Sequence, residues 1–311
     1  MAGRPLRSSQ PIGFLSALAC TAIVIVRGGN PVAMKVVLQA LSPMHGAFAR
    51  VAVGCAGVGL YSLFRGRGLR PARSEIGPLA LLTAFYALQI GANQTGADFT
   101  SPVLVAILFN TYPITANVTS SFFVREDRLT PARLLGLAAA FAGVVWIFLA
   151  PSGSPLAPNP TLGNALILAA ATLLALRMVY LRQLVLRVDY VKAVFWPLLG
   201  SLPLFLLGGA LIPDGAHRLD TDWRTWSFLL YQGIVIGGAG QLAWAWLVRR
   251  HTPGSVIAFS FLTPVTGVVV SALYFAEPVP SRLLQGLGAV LLGVALAARR
   301  GRAAGPATDP G

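Results

Sequence analysis

The sequence carries one pattern twice, in two copies that lie 151 residues apart. Each copy has a Ser/Thr-Pro dipeptide, a second proline eleven residues after the first, and then a glutamate. The residues are Ser101-Pro102, Pro113 and Glu126 in the first copy, and Thr252-Pro253, Pro264 and Glu277 in the second. An internal duplication in a hydrophobic chain is the usual architecture of a secondary transporter, whose substrate site lies at the interface between the repeats.

The composition of the 311-residue chain predicts a membrane protein, because 55% of its residues are hydrophobic and only 11% are charged. Soluble domains average about 25% charged residues, so a water-facing surface is hard to build from this composition. Many apolar stretches approach the ~20 residues that a helix needs to cross the hydrocarbon core. We therefore predict an all-α polytopic membrane protein with ten transmembrane helices. The predicted spans are residues 12–36, 43–64, 76–96, 101–123, 131–150, 161–181, 191–212, 225–247, 253–275 and 282–298.

The distribution of basic residues along the predicted loops indicates the orientation of the chain. Of the 24 Lys and Arg residues, 17 fall on the side that also holds both termini, three fall on the other side, and four lie within spans. Under the positive-inside rule both termini are cytoplasmic, and we expect the inner (plasma) membrane of a bacterium. The net charge of +14 then reflects topology, so we expect contact with membrane lipid and no nucleic-acid partner.

An uncharged segment rich in Pro and Gly divides the chain into two halves. Residues 151–160 are predicted to be an external, periplasmic linker. Residues 1–150 are predicted to form the first five-helix repeat, residues 161–300 the second, and residues 301–311 a disordered tail. Because five is an odd number, the second half must enter the membrane from the opposite face. The repeats are therefore expected to be inverted, related by a pseudo-two-fold axis in the membrane plane.

Paired glycines seven residues apart follow each repeated glutamate. They are Gly136 and Gly143 in the first half and Gly286 and Gly293 in the second half. Glycines at this spacing share one helix face and allow two helix backbones to approach closely in lipid. We expect them to pack the two repeats together or to join two protomers in a homodimer.

The motifs of membrane enzymes and pumps are missing from the sequence. There is no phosphate-binding loop of the Walker type, no His-Glu-x-x-His metal motif, and none of the ten acidic residues lies at the middle of a span. We therefore expect no enzymatic activity, no cofactor and no bound metal. A membrane scaffold, such as a subunit that assists lipid modification, needs no catalytic set and is an alternative. A flippase for lipid-linked substrates is a further alternative.

Four basic residues lie inside predicted spans, where no carboxylate is available to pair with them: Arg27, Lys35, Arg50 and Arg177. A charge at this depth costs about 2.5–3.5 kcal/mol even by the lower estimates, so each side chain must face protein, water or a ligand. Lys35 lies near the outer end of its span and could reach the membrane surface, while Arg50 could bind helix carbonyls. Arg27 and Arg177 occupy nearly equivalent positions in the first helix of each repeat. We expect them to face each other across a central cavity.

Polar and aromatic residues on the same helices complete the candidate substrate site. Gly28, Gly29 and Asn30-Pro31 directly follow Arg27, and a helix break there would expose backbone groups to a cavity. The candidate substrate-binding residues are Arg27, Asn30, Tyr86, Gln89, Asn93, Asn110, Arg177, Tyr180, Gln241 and Trp244. Buried amides also bridge helices in membrane bundles, so a structural role is the alternative for any one of them. Pro113 and Pro264 are predicted to kink their helices.

Several short motifs occur together along the chain. They are Asn30-Pro31-Val32-Ala33-Met34-Lys35, Arg50, Pro113 with Glu126, Tyr180 with Arg182, and Pro264 with Glu277. In this combination the whole sequence resembles the EamA-type transporters of the drug/metabolite transporter superfamily. The resemblance implies export or exchange of small polar metabolites, including amino acids, through a central cavity and without ATP. It implies scaffold roles for Lys35, Arg50, Glu126 and Glu277. Arg27 and Arg177 stand where such transporters commonly carry tryptophan.

The two equivalent arginines predict an anionic substrate. A guanidinium binds a carboxylate or phosphate bidentately, and this pairing is strong in a cavity of low dielectric constant. We hypothesise a small acid, such as an amino acid with extra carboxylates or another anionic metabolite. Alternatively, each arginine caps the carbonyls of a broken helix or points along its helix into water. The lack of a carboxylate at mid-span favours facilitated diffusion or exchange over proton coupling.

Overall fold

Helices account for the secondary structure of the chain wherever it is described. The computed structural model describes residues 21–23, 25–115, 131–149, 154–211, 222–250 and 262–298, and these ranges contain no strand. The helices are α1 (Asn30–Ala40), α2 (Pro43–Phe64), α3 (Arg73–Phe99), α4 (Pro102–Phe109), α5 (Pro131–Phe148), α6 (Pro160–Leu184), α7 (Tyr190–Leu211), α8 (Trp223–Leu230), a π-helical segment (Tyr231–Ala239), α9 (Gly240–Arg250), α10 (Leu262–Phe275) and α11 (Ser281–Ala298). The predicted all-α class is confirmed.

Among the residues that the structure describes, six helical stretches are long and apolar enough to cross a membrane. They are Thr21–Ala40, Pro43–Phe64, Arg73–Phe99, Pro160–Leu184, Tyr190–Leu211 and Trp223–Trp246. Shorter apolar helices cover Pro102–Thr115, Leu135–Ile147 and Thr263–Phe275. Large apolar side chains such as Leu88, Leu206 and Leu273 are exposed on the outside of the bundle, where a membrane protein meets lipid. The chain therefore has the character of an integral membrane protein.

The helix boundaries follow the predicted spans closely in the described ranges. The largest extension is at α3, which runs from Arg73 to Phe99 where the sequence predicted residues 76–96. Some predictions concern residues outside the described part of the chain. They are residues 12–20, 24, 116–123, 150, 212 and 253–261 of the predicted spans, residues 151–153 of the linker, the tail at 301–311, and Glu126.

The first helix is interrupted at the predicted glycine break. A turn at Gly29 separates α1 from the helical residues that precede it. The carbonyl of Val26, which lies just before this turn, accepts a hydrogen bond from the hydroxyl of Tyr231 in the π segment. Gly28 packs so closely on Thr266 of α10 that an added Cβ would collide with it. The break therefore lies against two elements from the C-terminal half of the chain.

A second interruption ends α4 at Phe109, followed by a turn at Asn110 and Thr111. Pro113 has no N–H to donate to the Phe109 carbonyl, so the regular hydrogen bonding of the helix cannot continue through it. The side chain of Asn110 is drawn into this turn, where Nδ2 donates to the carbonyl of Ala106 at 2.7 Å. The helix is thus interrupted at the place where Pro113 predicts a kink.

The π segment widens a helix where it crosses α2. A Cβ on Gly54 of α2 would lie only 3.0 Å from the carbonyl oxygen of Gly233, so the two backbones are in contact there. Gln232 fixes the start of the segment by donating from Nε2 to the carbonyl of Ala33 at 3.0 Å. Widened helical turns of this type are rare and occur frequently at functional sites.

The packing partners of the helices repeat between the two halves of the chain. Counting by predicted spans, α6 corresponds to α1, α7 to α2, the stretch from α8 to α9 to α3, α10 to α4, and α11 to α5. The packing of α3 on α6 is matched by that of α8 on α1, and the packing of α3 on α7 by that of the π segment on α2. In addition, α2 packs on α7, α4 on α10 and α5 on α11, so each contacts its own counterpart.

The closest of these contacts joins α5 to α11 through the paired glycines. A Cβ on Gly143 would lie 2.8 Å from the carbonyl oxygen of Gly286. A Cβ on Gly293 would collide with the backbone of Gly136 and Ala140. The prediction that these glycines allow close helix packing is confirmed for two helices of the same chain.

The loop that follows α2 meets the start of α7 at one end of the bundle. Arg67 forms a salt bridge with Asp189 at 2.9 Å, and Lys192 forms one with Glu75 of α3 at 3.0 Å. The second pair is the more buried, with side-chain exposures of 18% and 16% against 41% and 34% for the first. We call these two pairs the ion-pair latch, because they join the N-terminal and C-terminal halves of the chain.

Candidate substrate cavity

A cavity lies at the centre of the bundle, between the helices of the two halves. Its water-accessible volume is about 110 Å³, room for several waters or part of a small metabolite. Its wall is formed by the break before α1, by α2, α3, α4 and α6, and by the π segment, α9 and α10. Both halves of the chain therefore contribute polar side chains to the cavity.

Arg27 and Trp244 form one side of the cavity. The guanidinium carbon of Arg27 lies 5.0 Å from the centre of the Trp244 ring, within the range of a cation–π contact. Trp244 is 6% exposed, and its Nε1–H, a donor, has no hydrogen-bond partner. This side therefore presents a cation and an unused N–H group together.

Arg177 and Tyr86 repeat this arrangement on another side. The guanidinium carbon of Arg177 lies 4.9 Å from the centre of the Tyr86 ring. Both side chains are about 95% buried, and Nε of Arg177 has no hydrogen-bond partner. Arg27 and Arg177 lie on corresponding helices, and so do Trp244 and Tyr86. The 151-residue offset between the repeats does not align Trp244 with Tyr86, however, so the two pairs are alike in chemistry but do not occupy equivalent positions.

The charge of the cavity wall is positive. Arg50 of α2 joins Arg27 and Arg177 in the lining. Arg27 and Arg50 are both close enough to Arg177 to repel its positive charge. No lining residue among those that the structure describes is acidic. Three guanidiniums thus share one cavity without a carboxylate of the described wall to balance them, which is an environment suited to an anion.

Several other polar atoms of the wall are buried without a hydrogen-bond partner. They are Nη1 of Arg50, Oδ1 of Asn30, Oε1 of Gln89 and Oδ1 of Asn93. The amide nitrogens of Asn30 and Asn93 both donate to the sulfur of Met34, at 3.2 and 3.5 Å, which orients the two oxygens. A buried polar group without a partner costs about 1–3 kcal/mol, so a bound ligand or water would relieve several such costs at once.

Lys35 has a different role from the arginines, and the expectation that it could reach the membrane surface is wrong. Its side chain is 6% exposed and donates to the carbonyls of Ala97, Asp98 and Thr100 at 3.0, 2.8 and 3.1 Å. These carbonyls end α3, where the helix dipole is negative, so the ammonium binds there rather than in the cavity. A scaffold role agrees with this geometry.

Eight of the ten predicted site residues line the cavity: Arg27, Asn30, Gln89, Asn93, Asn110, Arg177, Gln241 and Trp244. Tyr86 borders a smaller adjoining cavity, which shares Arg177 and Gln241 with the first. Tyr180 lies elsewhere, since its hydroxyl donates to the carbonyl of Pro78 at 3.2 Å and its ring packs on Phe85. The position of a residue does not show that it binds substrate, so the substrate-binding role of all ten residues stays a prediction.

The sequence-based set missed part of the lining. Arg50 was assigned to the scaffold, although its charge within a span was already a sign of a functional position. Apolar residues of the cavity wall, such as Phe109, Met178 and Ile236, could not be singled out in the sequence, because apolar residues fill every span.

A polar cavity between the two halves of a helical membrane protein is typical of secondary transporters. Within this class, the chain belongs to the EamA-like transporter family, which matches residues 13–149 and again residues 161–299. The resemblance inferred from the sequence motifs is thereby confirmed, and a transporter function is supported.

Relatives with the same general description occur in bacteria and archaea. The chain is 28% identical over 296 residues to the uncharacterized transporter YvbV of Bacillus subtilis (strain 168), with 93% of each chain covered. It is 25% identical over 206 residues to an uncharacterized transporter of Archaeoglobus fulgidus, which covers 66% of this chain and 71% of that protein. A protein crystal structure with 18% identity shares the fold, with a TM-score of 0.64 over 92% of this chain and 97% of that one.

Proposed function

We propose that the protein is a secondary transporter, and not an enzyme, that exports or exchanges a small anionic metabolite through the central cavity. The observation that carries this proposal is the cavity itself, where three guanidiniums line one space and no described lining residue is acidic. The transporter function is inferred from the family match. The negative charge of the substrate is inferred from Arg27, Arg50 and Arg177 in the cavity wall. Amino acids with an extra carboxylate and other organic acids both satisfy this charge.

The hydrogen bonds of the arginines favour substrate binding over the alternative of helix capping. Lys35 caps helix carbonyls with three hydrogen bonds, so this fold already contains a cation in that role. In contrast, the described contacts of Arg27 and Arg177 are aromatic faces, and Nε of Arg177 has no partner. A ring orients a guanidinium but accepts none of its in-plane N–H groups, so Nε of Arg177 stays available for an anion.

The proposed architecture is ten transmembrane helices in two inverted repeats. Support comes from the matched helix packing, in which each of the stronger contacts between described elements of the two halves has a counterpart or is its own counterpart. The repeated family match supports the same division. A pseudo-two-fold axis through the cavity then relates Arg27 to Arg177.

The proposed orientation has both termini in the cytoplasm, within the inner membrane of a bacterium. This orientation puts the ion-pair latch at the cytoplasmic end, where it joins the two halves below the cavity. Opening of the cavity toward the cytoplasm then requires the latch to separate, and alternating access follows from movement of one half against the other. Facilitated diffusion or exchange needs no further coupling group.

The test is a flux measurement in proteoliposomes that contain only the purified protein. We expect counterflow of labelled organic acids and little flux of a neutral sugar of similar size. The double variant Arg27→Trp/Arg177→Trp, which restores the tryptophans that the family commonly carries, should lose the acid flux. Arg70→Gln, a change at an exposed loop residue, is the matched control and should retain it.

Two outcomes contradict the proposal in different ways. If purified protein moves no solute under any gradient, a membrane scaffold is favoured, and flux of lipid-linked substrates alone favours a flippase. If the double variant folds and still moves acids at the wild-type rate, the arginines do not select the substrate. Acid flux driven by an imposed pH gradient alone would exclude simple exchange. The homodimer expected from the sequence remains a prediction, which the mass of the purified particle tests.

A further inference from the structure

The two cation–π pairs constrain the substrate beyond its sign. We propose that the substrate is a small organic acid with two separate anionic groups and a neutral hydroxyl between them, and that it carries no ammonium group. Each anionic group binds one guanidinium, at Arg27 or at Arg177. This inference rests on the proposed transport function and narrows the substrate class of the same cavity.

Two acid groups are inferred because the cavity holds two separate guanidiniums, each fixed on its own aromatic ring. Trp244 holds the guanidinium of Arg27 from one side and Tyr86 holds that of Arg177, so neither side chain can turn freely toward the other. Each pair also offers an unused donor, Nε1 of Trp244 and Nε of Arg177. A single carboxylate can satisfy one of these positions but leaves the other cation uncompensated.

The charge balance favours a dianion over a monoanion. Arg177 is repelled by both Arg27 and Arg50, and the described wall contributes no negative charge. A monoanion would leave two of the three positive charges unbalanced, whereas a dianion leaves one. Nη1 of Arg50 has no partner and can add a hydrogen bond to the acid group bound at Arg177.

The hydroxyl is inferred from the amide oxygens of the wall. Oδ1 of Asn30, Oδ1 of Asn93 and Oε1 of Gln89 are acceptors without a donor. An ammonium or a hydroxyl of the substrate could donate to them. An ammonium would add a fourth positive charge among three guanidiniums, which a low dielectric constant makes unfavourable. A neutral hydroxyl satisfies the same oxygens without this repulsion.

A matched series of four-carbon acids separates these features. Malate has two carboxylates and a hydroxyl, succinate lacks the hydroxyl, aspartate replaces it with an ammonium, and 3-hydroxybutyrate replaces one carboxylate with a methyl group. The three-carbon and five- to seven-carbon dicarboxylates cover other lengths. Affinity for purified wild-type protein can be measured by titration calorimetry, with the fluorescence of Trp244 in the cavity as a second readout.

We expect malate, or a hydroxylated homologue of better length, to bind about tenfold or more tightly than its monocarboxylate and amino counterparts. One charged hydrogen-bonding contact contributes on the order of this factor. Arg27→Gln and Arg177→Gln should each lower dianion affinity by about tenfold or more and change monoanion affinity much less. If a glutamine variant does not fold, Arg27→Lys and Arg177→Lys replace it in the test, because they keep the positive charge. These lysine variants should weaken dianion binding less than the glutamine variants do. Arg70→Gln should bind as the wild type does.

The proposal is overturned if dianions and monoanions of equal length bind alike, or if the amino acid binds more tightly than the hydroxy acid. It is also overturned if no dicarboxylate of any tested length binds. In each of these cases, acid flux in proteoliposomes shows whether the proposed transport function survives. If flux of a monocarboxylate or an amino acid persists, only the dianion inference fails. If flux of every acid is absent, both fail.

Discussion

Replacement of Arg177 by methionine should stabilise the empty protein while it abolishes the response to the substrate. Arg177 is 5% exposed, carries an unpaired Nε and is repelled by two neighbouring arginines. Methionine fills a similar volume without charge and adapts to irregular space. We therefore expect that Arg177 serves substrate binding although it lowers the stability of the protein without substrate.

The size of the effect follows from two opposed contributions. Removal of a charge from this depth recovers about 2.5–3.5 kcal/mol by the lower estimates. Loss of the cation–π contact with Tyr86, at 4.9 Å, costs about 1–2 kcal/mol for a desolvated pair. The net stabilisation is about 0.5–2.5 kcal/mol, which corresponds to a rise in Tm of about 1–4 °C for a chain of this size.

The assay is thermal unfolding of purified protein in detergent, without and with a saturating anionic ligand. Wild-type protein should gain about 2.7 kcal/mol of stability when the ligand concentration is 100-fold above Kd, and Arg177→Met should gain little. Arg70→Met provides the matched control, because Arg70 is exposed and its loss should change neither value. A Tm of Arg177→Met below that of wild-type protein would refute the reasoning, since it would mean that the charge of Arg177 is already compensated in the empty cavity.

Three further predictions concern packing, capping and the latch. Gly143→Ala should lower the free energy of unfolding by about 1–3 kcal/mol, because its Cβ would press on the opposing backbone; the control Gly288→Ala, which meets nothing within 4 Å, should be neutral or stabilising in the same unfolding assay. Lys35→Met should lower the yield and Tm of the protein, because it leaves three carbonyls without a donor; unchanged stability would contradict the capping role. Charge reversal at Glu75 or Lys192 alone should increase labelling of cysteines placed in the cavity from the cytoplasmic side, and exchange of the two residues should restore protection. Equal labelling of all these variants would show that the latch does not hold this end closed.

The fold was largely predictable because the bilayer acts on properties that a sequence displays directly. Span length and apolarity reflect the thickness of the hydrocarbon core, and both are visible without knowledge of helix packing. Arg27 and Arg177 were also identifiable, because a cation within an apolar run is rare and costly. Pro113 and Gly29 marked their helix interruptions through backbone chemistry alone.

The direction in which each helix faces was harder to predict. Tyr86 and Tyr180 both lie on helices that form the cavity, yet only Tyr86 stacks on a cavity arginine, while Tyr180 bonds to the carbonyl of Pro78. Helices that are apolar on every side have no clear polar face, so the rotation of the helix cannot be derived from its own sequence. For the same reason, the apolar residues of the cavity wall could not be predicted from the sequence.

The π segment depends on contacts that no local pattern reveals. Its glycines permit a close approach to α2, but the widened geometry is set where Gly233 meets Gly54 and where Tyr231 bonds to the carbonyl of Val26. The capping role of Lys35 has the same origin, since its three acceptors lie more than 60 residues away in the sequence. Long-range partners of this kind require the assembled fold.

The central claim is that an anionic substrate binds between Arg27 and Arg177 in the central cavity. The most direct measurement is a cryo-electron microscopy or crystal structure of the protein with a transported acid at a saturating concentration. We predict density that bridges the two guanidiniums, with one anionic end beside the Trp244 ring and the other beside the Tyr86 ring. An empty central cavity, or substrate density at another place in a transport-competent protein, would contradict the account.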